Sequence, residues 1–279
     1  MQFSKIFNEA PEFLRLLLGT VIFRPYVYIF FAIFLAFAIF QMGWLRTLFF
    51  LVATWLIAFA AEYSSTRNGF PFGYYYYIDT TRTRELWVSN IPFWDSLSFV
   101  FLSYFSFMVA AIVLRKGLNT TTSPWKSLFQ SSTPFLGGFL MMLLDIVIDP
   151  VALQGGKWFL GEVYGYPFRG FYFGVTIANF LGWFFVGWFT QIFFQAFLFI
   201  TRAQKNKWRT LPRWFDQAII AMYAGIFIFN FAITIYVQDF ALARASALVI
   251  AATFLGIVAA LSRKKSATSD VQYAVASQG

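Results

Sequence analysis

The chain has 279 residues, of which 59% are hydrophobic and 12% charged, and its mean hydropathy is +0.65. A soluble domain carries about 25% charged residues, so composition excludes a soluble globular class and points to a polytopic membrane protein. There is no Cys and no His, which removes disulfides, thiolate catalysis, Cys-ligated metal and the side chain that usually moves protons near neutral pH.

Residues 1–25 hold Arg15 and Arg24 inside an otherwise apolar stretch. That pattern predicts an amphipathic helix lying in the membrane interface. A spanning helix needs about 20 largely apolar residues. Seven such runs follow, at 26–41, 45–62, 95–114, 133–149, 176–200, 217–237 and 241–261. Together they predict an all-α bundle over 26–261, with 262–279 as a disordered polar tail. A single membrane domain is expected, with no linker and no strong internal repeat.

The net charge of +9 lies largely in short loops, where it bears on orientation and gives no nucleic-acid signal. Arg46, the group Arg115, Lys116 and Lys126, the group Arg202, Lys205, Lys207, Arg209 and Arg213, and the tail residues Arg263, Lys264 and Lys265 all fall on one side of the seven-span map. By the positive-inside rule that side is cytoplasmic. The N-terminus is then outside and the C-terminus cytoplasmic. The sequon at Asn119 lies in a loop expected to be cytoplasmic and carries no weight as a glycan site.

Glu62, Asp145 and Asp149 sit at the ends of apolar runs. Ionisable groups at membrane depth are costly and usually mark functional sites. With His and Cys absent, these acids are the chain's main candidates for proton chemistry. Asp145 and Asp149 are four apart and share one helix face. Two close carboxyls in a low-dielectric site cannot easily both ionise, so one is left able to act as an acid. Two long connections leave the same predicted side, one after Glu62 and one after Asp149, and Asn179 opens the fifth span there. A structural reading stands beside each feature. Asp149 before Pro150 can simply end a helix, with Lys157 or Arg169 as partner. Glu62 can pair with Arg67. Tyr74, Tyr75, Tyr76 and Tyr77, with Trp94, Trp158 and Trp183, can form an aromatic belt. Asn179 can bond another helix.

Taken together, these stretches resemble a known family. Glu62, then Gly69-Phe70-Pro71-Phe72-Gly73-Tyr74-Tyr75, Asp145 through Asp149-Pro150, Trp158, Gly174-Val175 and Asn179-Phe180-Leu181-Gly182-Trp183 resemble the membrane-embedded carotenoid-synthesis proteins. That family includes carotenoid 1,2-hydratases and archaeal bisanhydrobacterioruberin hydratases. The resemblance covers roughly residues 45–260, and Thr176 stands where the family pattern leads one to expect Pro. It implies addition of water to the terminal isopropylidene double bond of a linear or monocyclic carotenoid, without cofactor or metal. Glu62, Asp145 and Asp149 would be catalytic. Tyr74, Tyr75, Trp94, Trp158, Asn179 and Trp183 would bind substrate or stabilise a cation. The expected partners are a lipophilic carotenoid, the lipid bilayer and other carotenoid-synthesis enzymes. The expected location is a bacterial or archaeal cytoplasmic membrane, or a thylakoid.

The chemistry of the residues fits this reading. An isolated alkene is a poor base and needs a strong, desolvated acid. Protonation at the less substituted carbon gives a tertiary cation, which aromatic faces stabilise and water captures. A carotenoid cyclase uses the same first step and ends by losing a proton instead. A proton-coupled transporter is the alternative of another class, with Asp145 and Asp149 as its relay. A retinal receptor is disfavoured, because 241–261 holds no Lys for a Schiff base.

Overall fold

The computed structural model describes residues 11–114, 131–201 and 211–276. The basic residues Arg115, Lys116, Lys126, Arg202, Lys205, Lys207 and Arg209, and the sequon at Asn119, lie outside the described residues. Eight α-helices are present among the described residues: α1 (Glu12–Phe23), α2 (Pro25–Met42), α3 (Trp44–Asn68), α4 (Phe93–Leu114), α5 (Ser132–Ala152), α6 (Ile177–Ile200), α7 (Arg213–Tyr236) and α8 (Phe240–Ala276). Seven helices, α2 to α8, are long and apolar enough to cross a membrane. The all-α, multi-pass class expected from composition is the one observed.

Three helix ends differ from expectation. Helix α3 runs past Glu62 to Asn68, because nothing in Tyr63-Ser64-Ser65-Thr66-Arg67-Asn68 breaks it. Gly69 ends it in a left-handed conformation, φ 81° and ψ 1°, which glycine adopts at no steric cost. Asp149 does not end its helix. Helix α5 passes through Pro150 to Ala152, and its last turn closes where Leu153 N donates to Asp149 O at 2.9 Å. Helix α8 continues through Ala276, where a disordered tail was expected from residue 262. Its polar end carries Ala, Lys and Arg, which favour helix, and meets no Pro or Gly before Gly279.

The chain divides into two compact units, Met1–Leu102 with Asp149–Val186, and Ser103–Ile148 with Gly187–Gly279. In the first unit α2 packs along α3, with Phe34 and Phe50 ring centroids 6.1 Å apart, and Phe30 stacks on Phe101 of α4 at 5.7 Å. The two long connections meet in this unit. Strand β1 (Tyr76–Tyr77) follows α3, a short hairpin is made by β2 (Trp87–Val88) and β3 (Ile91–Pro92), and β4 (Tyr164–Gly165) follows α5. Strand β1 pairs antiparallel with β4 in the register Tyr76↔Gly165 and Tyr77↔Tyr164, so the loops after Glu62 and after Asp149 are hydrogen-bonded to each other. Gly182 lets the first loop close on α6: a Cβ there would press into the Phe72 ring and Pro71 O.

Arg24 falls at the junction of α1 and α2 and is 2% exposed. It was expected as a charge on an interfacial helix. Instead it is buried, because Glu85 and the Leu160 carbonyl come to meet it. In the second unit, Tyr223 of α7 donates to Leu140 O of α5 at 2.8 Å and packs on Phe254 of α8 at 6.3 Å. Gln191 of α6 reaches α4 there, with Nε2 at 3.5 Å from Ser103 O.

Candidate active site

Helix α3 carries Glu62 at 2% exposure. The first turn of α4 carries Asp95 and Ser96, and β1 carries Tyr77. These four side chains meet in the first unit. Ser96 Oγ donates to Glu62 Oε2. Tyr77 Oη lies 3.1 Å from Glu62 Oε1 and 2.5 Å from Asp95 Oδ2. A phenol has one hydrogen to give. Both contacts can be hydrogen bonds only if one carboxyl is protonated and donates to the phenol oxygen. A proton kept on one of the two acids satisfies both contacts at once.

Two more phenols adjoin the cluster. Tyr75 Oη is 3.3 Å from Tyr77 Oη, and the Tyr75 ring meets Tyr77 at 5.3 Å, Tyr164 at 6.0 Å and Tyr166 at 6.2 Å. Burial, then the nearby charges of Asp95 and Glu62, push the Tyr77 hydroxyl well above the usual tyrosine range. Burial, then Glu62, does the same for Tyr75. Both remain protonated hydroxyls that can accept and pass on a proton.

A third acid, Asp149, lies in the last turns of α5. Asn179 Nδ2 donates to Asp149 Oδ2 at 2.6 Å, and Tyr164 Oη donates to the backbone oxygen of Asp149 at 3.3 Å. Asn179 is held by the cap of its own helix. Thr176 Oγ1 accepts from Asn179 N at 3.3 Å, the contact expected of an N-cap Thr, and lies 3.5 Å from Phe72 O in the facing loop. Thr176, where Pro was expected, thus closes α6 onto the first loop with a hydroxyl that Pro lacks. Glu62 lies near enough to Asp149 for their charges to interact. Asp145 is fully buried one turn earlier on α5 and belongs to the second unit.

The aromatic candidates fall in different settings. Tyr75 is buried beside the acids, whereas Tyr74 is 52% exposed and has no part in the cluster. Trp94 carries the Arg24 guanidinium 4.6 Å above its ring, so a cation of the protein already occupies that face. Trp158 donates from Nε1 to Val151 O at 3.0 Å and packs edge-on against Phe159 at 4.9 Å. Trp183 stacks on Phe99 at 4.1 Å. Trp87, not singled out in the sequence, meets Tyr77 edge-on at 6.1 Å.

A buried ion pair stands close by. Arg24 Nη2 lies 2.7 Å from Glu85 Oε1 and Nε 3.0 Å from Oε2, a two-pronged contact, and Nη1 donates to Leu160 O. Thr20 Oγ1 accepts from Leu86 N at 2.8 Å. Arg67, the partner considered for Glu62, instead reaches Asn90 Oδ1 at 2.9 Å.

Sequence reasoning did not mark Tyr77 apart from its neighbours, and it missed Asp95, Ser96 and Glu85 as site or structural residues. The available signal was Asp95-Ser96, two polar residues at the head of an apolar run; a helix-start acid is so ordinary that the pair passes as a boundary.

Residues 23–255 match the family described as carotenoid biosynthesis protein. No curated protein and no solved structure matches the chain. The family match takes in Arg24, the acid cluster, the Asp149–Asn179 pair and the greater part of all seven spans. The chain therefore belongs to the carotenoid biosynthesis protein family, as a multi-pass membrane member.

Proposed function

We propose that this protein is a carotenoid hydratase, adding water to the terminal isopropylidene double bond of a linear or monocyclic carotenoid. The observation that carries the proposal is the Tyr77 hydroxyl set between Glu62 and Asp95. It provides a buried carboxylic acid proton where a lipid-soluble alkene can be met out of water. In the reaction, the π electrons of the alkene take that proton at the less substituted carbon. A C–H bond forms and the O–H bond breaks. The carboxylate left behind is stabilised by the hydroxyls of Tyr77 and Ser96. The positive charge rests on the tertiary carbon, where a water oxygen forms the new C–O bond and then gives up one proton.

The ring best placed to face the cation is Tyr75, beside Tyr77. A desolvated cation over such a face gains about 2 kcal/mol. In the membrane, we place the paired loops on the non-cytoplasmic side and the C-terminus in the cytoplasm, following the basic residues.

Expression in a bacterium that makes lycopene, followed by mass analysis of its pigments, tests the reading. A hydratase gives a product heavier by one water at each reacted end. A product of unchanged mass with new rings identifies a cyclase instead.

A further inference from the structure

Water added to a cation must lose a proton, and a base beside the water takes it. We propose that Asp149 is the base that holds and deprotonates the attacking water, with Asn179 as the residue that positions it. This inference rests on the hydratase reading.

The Glu62–Asp95 pair and Asp149 differ in the kind of partner each is given. Glu62 and Asp95 face hydroxyls. A hydroxyl donates or accepts, so it fits a carboxyl in either protonation state. Asp149 Oδ2 faces an amide nitrogen at 2.6 Å. An amide NH₂ only donates, and a donor held on a carboxyl oxygen favours its charged, proton-free form. One centre is built to release a proton and the other is held ready to take one. The placement agrees. Asn179 is fixed at its backbone by the Thr176 cap. Asp149 is 8% exposed and within electrostatic reach of Glu62. Tyr164, bonded to the Asp149 backbone, packs on Tyr75, which touches Tyr77.

The atoms balance over one cycle. The alkene gains hydrogen from the Glu62–Asp95 pair and oxygen from water. Water keeps one hydrogen as the new hydroxyl and gives the other to Asp149. Asp149 then returns that proton to the pair. If the base is lost, the cation still forms, but it collapses by giving a proton back from a carbon next to the charge. Asp149 and Asn179 thereby decide between alcohol and alkene.

The test uses membranes containing the full chain and a lycopene-type carotenoid, in D₂O. Two quantities are read by mass: hydrated product, and deuterium in the carotenoid that gained no water. For Asp149→Asn and Asn179→Leu the hydrated product should fall about a hundredfold, the scale of a lost general base, while deuterium still enters the end groups of the unhydrated carotenoid. Asn179→Asp, which keeps the size but sets a second carboxyl against Asp149 so that the two share a proton, is read beside them and should also lose hydrated product. The assignment is overturned if these variants hydrate near the wild-type rate. It is also overturned if hydrate and deuterium fall in the same proportion in variants that reach wild-type abundance in the membrane. A wild-type product of unchanged mass defeats the hydratase reading itself, and this assignment with it.

Discussion

Arg24 and Glu85 are buried as opposite charges; Glu62 and Asp95 are buried as neighbouring acids. Both pairs lie in the same unit, and both face the cost of taking charge out of water. The first pair meets it with a two-pronged ion pair and a carbonyl. It ties the α1–α2 junction to both loops and leaves no group with a proton to spare. The second pair meets it with a phenol and a serine hydroxyl, and all three of their contacts are hydrogen bonds when one acid keeps a proton. A protein that needs only stability has the first solution available. The second, two like acids with no cation bonded to either among the described residues, is worth its cost where a proton is to be delivered.

That difference predicts opposite outcomes for similar substitutions. The largest effect is expected at Glu62→Gln. Carotenoid turnover in membranes should fall about 10²- to 10⁴-fold, the range for a lost general acid. Thermal stability in detergent should hold or rise, as is common when a strained functional group is removed. A loss of stability matching the loss of turnover would make Glu62 a structural residue.

Glu85→Gln should do the reverse. Leaving Arg24 buried without its counter-charge costs about 3–5 kcal/mol, seen as a lower unfolding temperature, while the turnover of protein that remains folded stays near normal. Trp94→Leu sharpens the same contrast at lower amplitude. Its ring serves Arg24, so about 2 kcal/mol of stability should go, with little change in turnover per folded molecule. A specific fall in turnover would return Trp94 to the list of rings that face substrate. The smallest effect is expected at Thr176→Ala. Loss of an N-cap costs about 1 kcal/mol, and a drop in hydrated product alone would show the cap acting through Asn179.

Much of this was legible in the chain. Spans of about 20 apolar residues declare themselves, and Glu62 and Asp149 stand out because an acid in such a run needs a reason. Both acids are buried, and the two loops, expected only to leave the membrane on one side, pair through β1 and β4. What was not legible is partnership. Glu62 meets Tyr77 from the strand that pairs with β4 and Asp95 from the first turn of α4, and a two-residue strand inside Tyr74-Tyr75-Tyr76-Tyr77 has no pattern to separate its facing ring from its exposed ones. Arg24 looks like an interfacial charge until Glu85, sixty-one residues away, is folded against it. Asp149 before Pro150 looks like a helix end, yet the helix runs through.

The most direct test of the proposed acid is deuterium entry from D₂O into a lycopene-type carotenoid, in membranes containing wild-type protein, Glu62→Gln or Asp95→Asn. Wild-type protein should place deuterium on the end group and add one water. Both variants should lose the deuterium and the water together, because without the shared proton no cation forms. If both variants still deuterate and hydrate the carotenoid near the wild-type rate, the proton comes from elsewhere and the Glu62–Tyr77–Asp95 cluster is not the acid.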